Sequence, residues 1–237
     1  MDFGCYLAMT AGEFSVWGQM VRRAAWMACH YASYDPGLSN LPGVLPEGAM
    51  VIVNDRIPPA GHDAGLIAEQ LQALCEKHRV GAVLMDLQRE GYAESEALVR
   101  AVVRALPCPV GVSSLYAKEG DHPVFLSCPP PHVALEPHLA PWKGREVWLE
   151  LAVEAEQAVV TEAGTQFSAV DPDVDPEFSD AGLHCCYSIQ VLGNRAVFTL
   201  RRGREKLREL AREARATGVT RVIGLYQQLG ADFSDGL

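Results

Sequence analysis

Apolar residues fall in short unbroken runs through the first half of the chain, and each run ends in polar residues. The runs are 3–9 (FGCYLAM), 25–31 (AWMACHY), 49–55 (AMVIVND), 82–87 (AVLMDL), 110–114 (VGVSS) and 124–128 (VFLSC). Runs this short and this apolar predict strands buried on both faces. Helical spacing fills several intervals. Residues 63–77 carry Leu66, Ile67, Leu71, Leu74 and Cys75 on one face, and 94–106 repeat the pattern through Leu98, Val99, Val102 and Val103 until Pro107 stops it. A short helix is also predicted from Thr10 through Arg23, with Thr10 and Glu13 spaced as a capping box. Strand and helix in alternation imply a parallel sheet with crossover connections.

The second half is less regular. Residues 146–153 and 158–163 are strand-like, and the short gap 154–157 reads as a hairpin between them. Residues 184–191 and 195–200 flank Leu192-Gly193-Asn194, a strong hairpin signal. Residues 203–217 place Leu207, Leu210, Ala211 and Ala214 on one helical face with Gly218 as the stop, and 219–225 form a last strand. About eight strands able to lie parallel predict an α/β fold, a modified (β/α)8 TIM-type barrel with β-hairpin insertions in its C-terminal half. One barrel domain is expected over residues 1–237. The competing fold is an open doubly wound sheet, but no GxGxxG follows the first strand and no cofactor is expected.

Composition narrows the function classes. Hydrophobic content of 49% with 21% charged residues is ordinary for a globular chain and excludes wholesale disorder. A net charge of −10 argues against nucleic acid as a partner, and the densest basic stretch, 201–215, is interleaved with Glu205, Glu209 and Glu213. No apolar run approaches the ~18 residues of a membrane span, and no basic region marks the N-terminus as a signal peptide. Seven cysteines without a CxxC predict reduced thiols and a cytoplasmic location. Residues 171–176 (DPDVDP) begin like a calcium loop, but Pro176 stands where the turn needs glycine.

The chemistry is expected where strands end. Along 82–90, Leu84, Asp86 and Gln88 share one face while Val83, Met85 and Leu87 share the other. A barrel wrapped by helices needs an apolar outer face, so Asp86 and Gln88 should point inward near the C-terminal mouth, with Glu90 on the rim. An inward Asp needs a donor, and Asn54, His30 or Tyr226 are the expected ones. His30, Asn54, Asp55, Tyr116, Glu150, Tyr226 and Gln227 lie at the ends of other predicted strands or beyond them and join Gln88 as substrate-binding candidates. Four residues along a strand span ~13 Å, so Asp86 and Glu90 cannot form a close pair by themselves. A second carboxylate from another strand is required, Asp55 or Glu150.

Residues 83–90 (VLMDLQRE) resemble the signature strand of chitinase-like family 18 glycoside hydrolases, D-x-x-D-x-D-x-E. Asp86 matches the second Asp, and Glu90 matches the Glu that serves those enzymes as general acid. Val83 and Gln88 depart from the pattern; the Asp that Gln88 replaces orients the substrate's N-acetyl group and shares a proton with the acid. The resemblance implies a barrel that binds, and hydrolyses, a carbohydrate-like small molecule, with Asp86 and Glu90 as its catalytic residues. Two other readings stand beside it. One is a non-catalytic binding or interaction barrel, in which Gln88 records the loss of hydrolysis. The other is a metal-dependent hydrolase using His30, Asp55 and Asp86 on three strand ends, although no HxH or HExxH is present.

Overall fold

The structure, a computed structural model, describes residues 3–118, 120–171, 176–235 and 237. Positions 172–175 of the calcium-loop-like run lie outside the described residues. The first strands in chain order are β1 (Gly4–Met9), β2 (Ala24–Tyr31), β3 (Leu38–Ser39), β4 (Met50–Asn54) and β5 (Ala82–Asp86). They are followed by β6 (Val110–Ser113), β7 (Val124–Leu126) and β8 (Val147–Leu151), and the last strand is β14 (Arg221–Leu225). All except the two-residue β3 pair in parallel in the order β1-β14-β8-β7-β6-β5-β4-β2, and β2 pairs back onto β1. The sheet is therefore a closed barrel of eight parallel strands, and the expected neighbours β1, β2, β4, β5 and β6 are adjacent as the runs predicted.

Alternation along each strand splits the core into two layers. Val51, Val53, Val83, Met85 and Leu87 face outward, where Ile67, Leu71 and Cys75 of α2 (Ala64–His78) and Leu98 and Val102 of α3 (Ala93–Ala105) cover them. Asp63 caps α2 by accepting from the Gly65 and Leu66 N–H groups. Tyr6, Ala25, Met50, Ala82, Leu84, Phe125, Trp148 and Ile223 face inward. Trp148 fills the lower interior, with the Arg221 guanidinium 4.3 Å over its ring. Gly111 makes room for it, since a Cβ there would stand 2.2 Å from the indole. The helical ring is thin: α1 (Ala11–Trp17) and α4 (Leu135–Leu139) are short, and among the described residues no helix joins β2 to β4 or β6 to β7. The Thr10–Glu13 capping box is present, but α1 stops at Trp17 instead of reaching Arg23. Gly18 ends the helix with its N–H on the Phe14 carbonyl, Met20 beyond it is 68% exposed, and Arg23 reaches back to the Phe3 carbonyl.

A second sheet is inserted between β8 and α5 (Arg204–Ala216). Its strands are β9 (Glu154–Thr161), β10 (Gly164–Ala169), β11 (Phe178–Asp180), β12 (Cys185–Leu192) and β13 (Arg195–Arg202), antiparallel in the order β10-β9-β13-β12-β11. The hairpin expected at Gly193-Asn194 is formed, with Gly193 at φ 62°. The hairpin expected at 154–157 is not. Those residues open β9, which pairs with β10 and β13, while β8 stays in the barrel. Val153 N–H, between β8 and β9, donates to Gln228 of α6 (Tyr226–Leu229), and the hairpin turn falls instead between β9 and β10, before Gly164 at φ 129°. Fully buried Arg202 ties the insert to the barrel by donating to the carbonyls of Pro129 and Val133 on the barrel side and of Leu183 within the insert, and Glu156 accepts from both the backbone N–H and Nδ1 of His132. No helix among the described residues is long and apolar enough to cross a membrane.

Candidate active site at the barrel mouth

Above the Trp148 layer the barrel opens into a cavity of about 440 Å³ at the C-terminal ends of the strands. Its floor is apolar, formed by Ala8, Met27, Ile52, Leu84, Phe125 and Ile223, and its polar rim carries Thr10, His30, Asn40, Asn54, Arg56, Asp86 and Glu150. Asp86 ends β5 and points inward above Leu84, as the two-residue period requires. Glu150 stands above Trp148 on β8, three strands further round the barrel, with β6 and β7 between. The two carboxylates therefore reach one cavity from separated walls.

Their environments differ. Burial pushes the Asp86 carboxyl above its ordinary range; a 2.6 Å hydrogen bond from Gln88 Nε2 opposes the shift, and the nearby Asp55 charge adds to it. The donor is thus Gln88, not Asn54, His30 or Tyr226. Burial raises Glu150 as well, and the Asp86 charge raises it further, against only a 3.4 Å contact from the Cys128 N–H. Both carboxyls are raised by burial and by a neighbouring charge, and Asp86 holds the closer opposing donor.

Beyond Asp86 the chain is strapped down. The Ser113 hydroxyl donates to the Leu87 carbonyl at 2.6 Å, and the buried Asp55 carboxylate accepts from the Gln88 and Arg89 N–H groups at 2.9 and 2.7 Å. The Arg89 guanidinium returns to the carbonyls of Asp55 and Arg56, and the Tyr116 hydroxyl donates to the Arg89 carbonyl. Asp55 and Tyr116 consequently hold the loop and do not line the cavity. The strand ends at Asp86, and Glu90 is exposed on the loop outside the cavity lining.

His30 and Asn54 do line it, Asn54 by the regular alternation of β4 and His30 through a local irregularity of β2. The pairing of β2 with β4 slips between Trp26 and Cys29, so Met27 and Ala28 both face the cavity and His30 follows on the inner side. Asn54 closes this bulge by donating to the Met27 and Cys29 carbonyls. His30 Nδ1–H donates to the Tyr31 carbonyl, which leaves Nε2 as acceptor for Asn40 Nδ2. Tyr226 and Gln227 sit past β14, where Tyr226 stacks on Trp17 at 6.4 Å and Gln227 bonds Glu13; neither lines the cavity. His30, Asp55 and Asp86 do not assemble as ligands, since both His30 nitrogens and the Asp55 carboxylate are engaged elsewhere, and no metal-binding cluster occurs among the described residues. Thr10, Asn40 and Arg56 are rim residues that strand-end reasoning missed. Asn40 lies in the long Pro- and Gly-rich loop, whose length was the available signal.

No protein-family model and no curated protein sequence matches the chain. Solved structures do. An N-acetylglucosaminidase of glycoside hydrolase family 18 from Paenibacillus barengoltzii superposes with a TM-score of 0.62 at 9% identity, covering 98% of this chain and 97% of its own. A chitinase from Chromobacterium violaceum gives 0.62 at 8% identity, with the same coverage of each chain. A variant family 18 chitinase from Cycas revoluta, in complex with (GlcNAc)4, gives 0.58 at 10% identity over 96% of both chains. The chain has the chitinase-like barrel fold of family 18 glycoside hydrolases.

Proposed function

We propose that the protein is a glycoside hydrolase-like barrel that binds and hydrolyses a carbohydrate-like small molecule in the Asp86–Glu150 cavity. The observation that carries the reading is that pair: two inward carboxylates, from β5 and β8, lining one cavity with an apolar floor. Glu150, raised by burial and by its neighbour's charge, serves as the acid that protonates the glycosidic oxygen. Asp86, whose ionised form Gln88 supports, faces the positive charge that develops on the sugar ring. This assigns the acid role to Glu150 in place of Glu90. His30, Asn54 and Asn40 offer fixed polar groups for sugar hydroxyls, and the saccharide complex of the Cycas revoluta chitinase supports a carbohydrate as the ligand class. Residues 1–237 form one domain in this reading, because Arg202 and Glu156 of the insert are satisfied by the barrel's own loop. A cytoplasmic setting belongs to it too, given seven cysteines without a pairing pattern.

A non-catalytic barrel is the second reading, favoured by one observation: Gln88 is an amide, so it shares no proton with Asp86. One experiment separates the two. Wild-type protein and an Asp86→Asn/Glu150→Gln double variant are incubated with a panel of β- and α-linked oligosaccharides, following reducing ends and, by calorimetry, binding. Turnover by the wild type that the double variant loses supports the hydrolase. Binding without turnover in both supports the binding protein. No binding to any saccharide removes the carbohydrate reading.

A further inference from the structure

We propose that Cys75 and Cys108 are a reversible redox pair on the outer wall of the barrel, closing to a disulfide under peroxide and clamping α2 to the start of β6. Their Sγ atoms lie 3.7 Å apart across 33 residues of sequence. Each is held by its surroundings. Cys75 is buried in the last turns of α2, where its carbonyl accepts the capping N–H of Arg79. Cys108 sits between Pro107 and Pro109, whose rings fix φ on either side, and the Pro109 carbonyl accepts from Val83 at the start of β5. Closing the bond requires the sulfurs to approach from 3.7 Å to about 2.05 Å, a side-chain adjustment.

The two thiols are chemically unequal. The hydrogen bond from the Cys75 S–H holds the Cys108 thiol below its ordinary range against the opposing effect of burial, and the Arg221 charge adds to the lowering. The same contact pushes Cys75 upward. Cys108 is also only partly buried, whereas Cys5, Cys29, Cys128 and Cys185 are buried. Cys108 is therefore the attacking thiolate and Cys75 the resolving thiol. In the first step the Cys108 thiolate takes one oxygen from hydrogen peroxide, giving a sulfenic acid and releasing hydroxide. In the second, Cys75 sulfur displaces that oxygen, and its proton leaves with it as water. Sulfur is oxidised by two electrons and peroxide is reduced by two. A dithiol reductant reverses the bond by exchange. Cys75 and Cys108 lie toward the N-terminal ends of β5 and β6, opposite the Asp86–Glu150 cavity, so the pair stands apart from the proposed active site.

The test treats the purified full chain with hydrogen peroxide at low molar ratio, followed by intact mass, peptide mapping and thermal unfolding. The expected result is loss of two hydrogens, a Cys75–Cys108 cross-linked peptide, a higher unfolding midpoint, and recovery of both on reduction. Cys75→Ser should leave a Cys108 sulfenic acid that dimedone captures, and Cys108→Ser should abolish both products. Cys186, the other partly exposed thiol, is the internal control. Oxidation of Cys186 ahead of Cys108, a sulfinic Cys108 without cross-link, or a lower midpoint for the cross-linked form would each overturn the proposal.

Discussion

Asp86 and Asp55 stand on adjacent strands at the same barrel mouth, yet they are held in opposite ways. Asp55 spends its carboxylate on two main-chain N–H groups of the strap that follows β5, and its carbonyl takes the Arg89 guanidinium besides. Asp86 receives one amide donor and otherwise faces an open, largely apolar cavity. Being at a strand end is common to both. What separates a candidate for chemistry from a structural anchor is whether the fold has already consumed the side chain's hydrogen-bonding capacity. Glu150 falls on the Asp86 side of this divide, with a single long contact from the Cys128 N–H.

The sharpest way to break that comparison is to neutralise the cavity pair. On a cleaved glycoside, Asp86→Asn and Glu150→Gln should each lower kcat/KM by about 10²–10⁴-fold, the usual worth of a positioned acid or base. The double variant should fall no further than the worse single one, because the groups act on one transition state. Independent, multiplying losses would show that the two carboxylates do not work as a unit.

The anchor side predicts a loss of stability instead. Asp55→Ala leaves the Gln88 and Arg89 N–H groups without their acceptor; these hydrogen bonds are only partly buried, so water takes over part of the loss and each is worth about 0.5–1.5 kcal/mol. A destabilisation of about 1–3 kcal/mol in urea titration is expected for Asp55→Ala, relative to wild type. A loss under about 0.5 kcal/mol would put Asp55 among ordinary surface residues and end the contrast.

A smaller effect of opposite sign should come from charge in the cavity. Asp86 and Glu150 are both raised above their ordinary values of 3.8 and 4.5. Between those values and the raised ones, the folded chain binds more protons than the unfolded chain, so stability falls as pH climbs through that window. Asp86→Asn should therefore unfold at a higher temperature than wild type at pH 7, and the advantage should vanish on acidification past the ordinary carboxylate range. Gln88→Ala acts in the same sense on Asp86: removing the donor to its ionised form should move the acidic limb of the pH–rate profile to higher pH. An unmoved limb would mean that another group sets it.

The barrel was legible because its strands carry apolar runs that leave no other choice. Residues 49–55 and 82–87 are buried on both faces, and Asp63–Lys77 between them has one apolar stripe. The insert was harder. In β9 the polar residues Glu154, Glu156 and Gln157 precede the apolar ones, so its first half resembles a turn until β13 is seen to pair with it, and Glu156 is buried only because His132 reaches it. At the site, the period of two placed Asp86 correctly, but it cannot register the β2 bulge that brings Ala28 into the cavity and sets His30 inward. Nor could it foresee where β5 stops, since the strap that ends it is built from Asp55, Ser113 and Tyr116, residues distant in sequence.

Glu90 is where the smallest effect is expected, and that makes it the most discriminating residue. By spacing alone it matches the acid of the family 18 signature, four residues beyond Asp86. Four residues of continuous strand would keep it on the inner face. The strand does not continue: Asp55 draws the Gln88 and Arg89 N–H groups toward β4, Tyr116 fixes the Arg89 carbonyl, and the chain turns outward through Gly91 at φ 81°. Glu90 is left exposed, off the cavity lining. Replacing an exposed side chain of this kind changes stability by about 0.5 kcal/mol or less, and Glu90→Gln should leave kcat/KM within about twofold of wild type. Steady-state kinetics on the same glycoside that reports Glu150→Gln decides the matter. If Glu90→Gln instead lost activity as deeply as Asp86→Asn, the strap would have to release and carry Glu90 over the cavity. The acid would then be Glu90, and Glu150 only its neighbour.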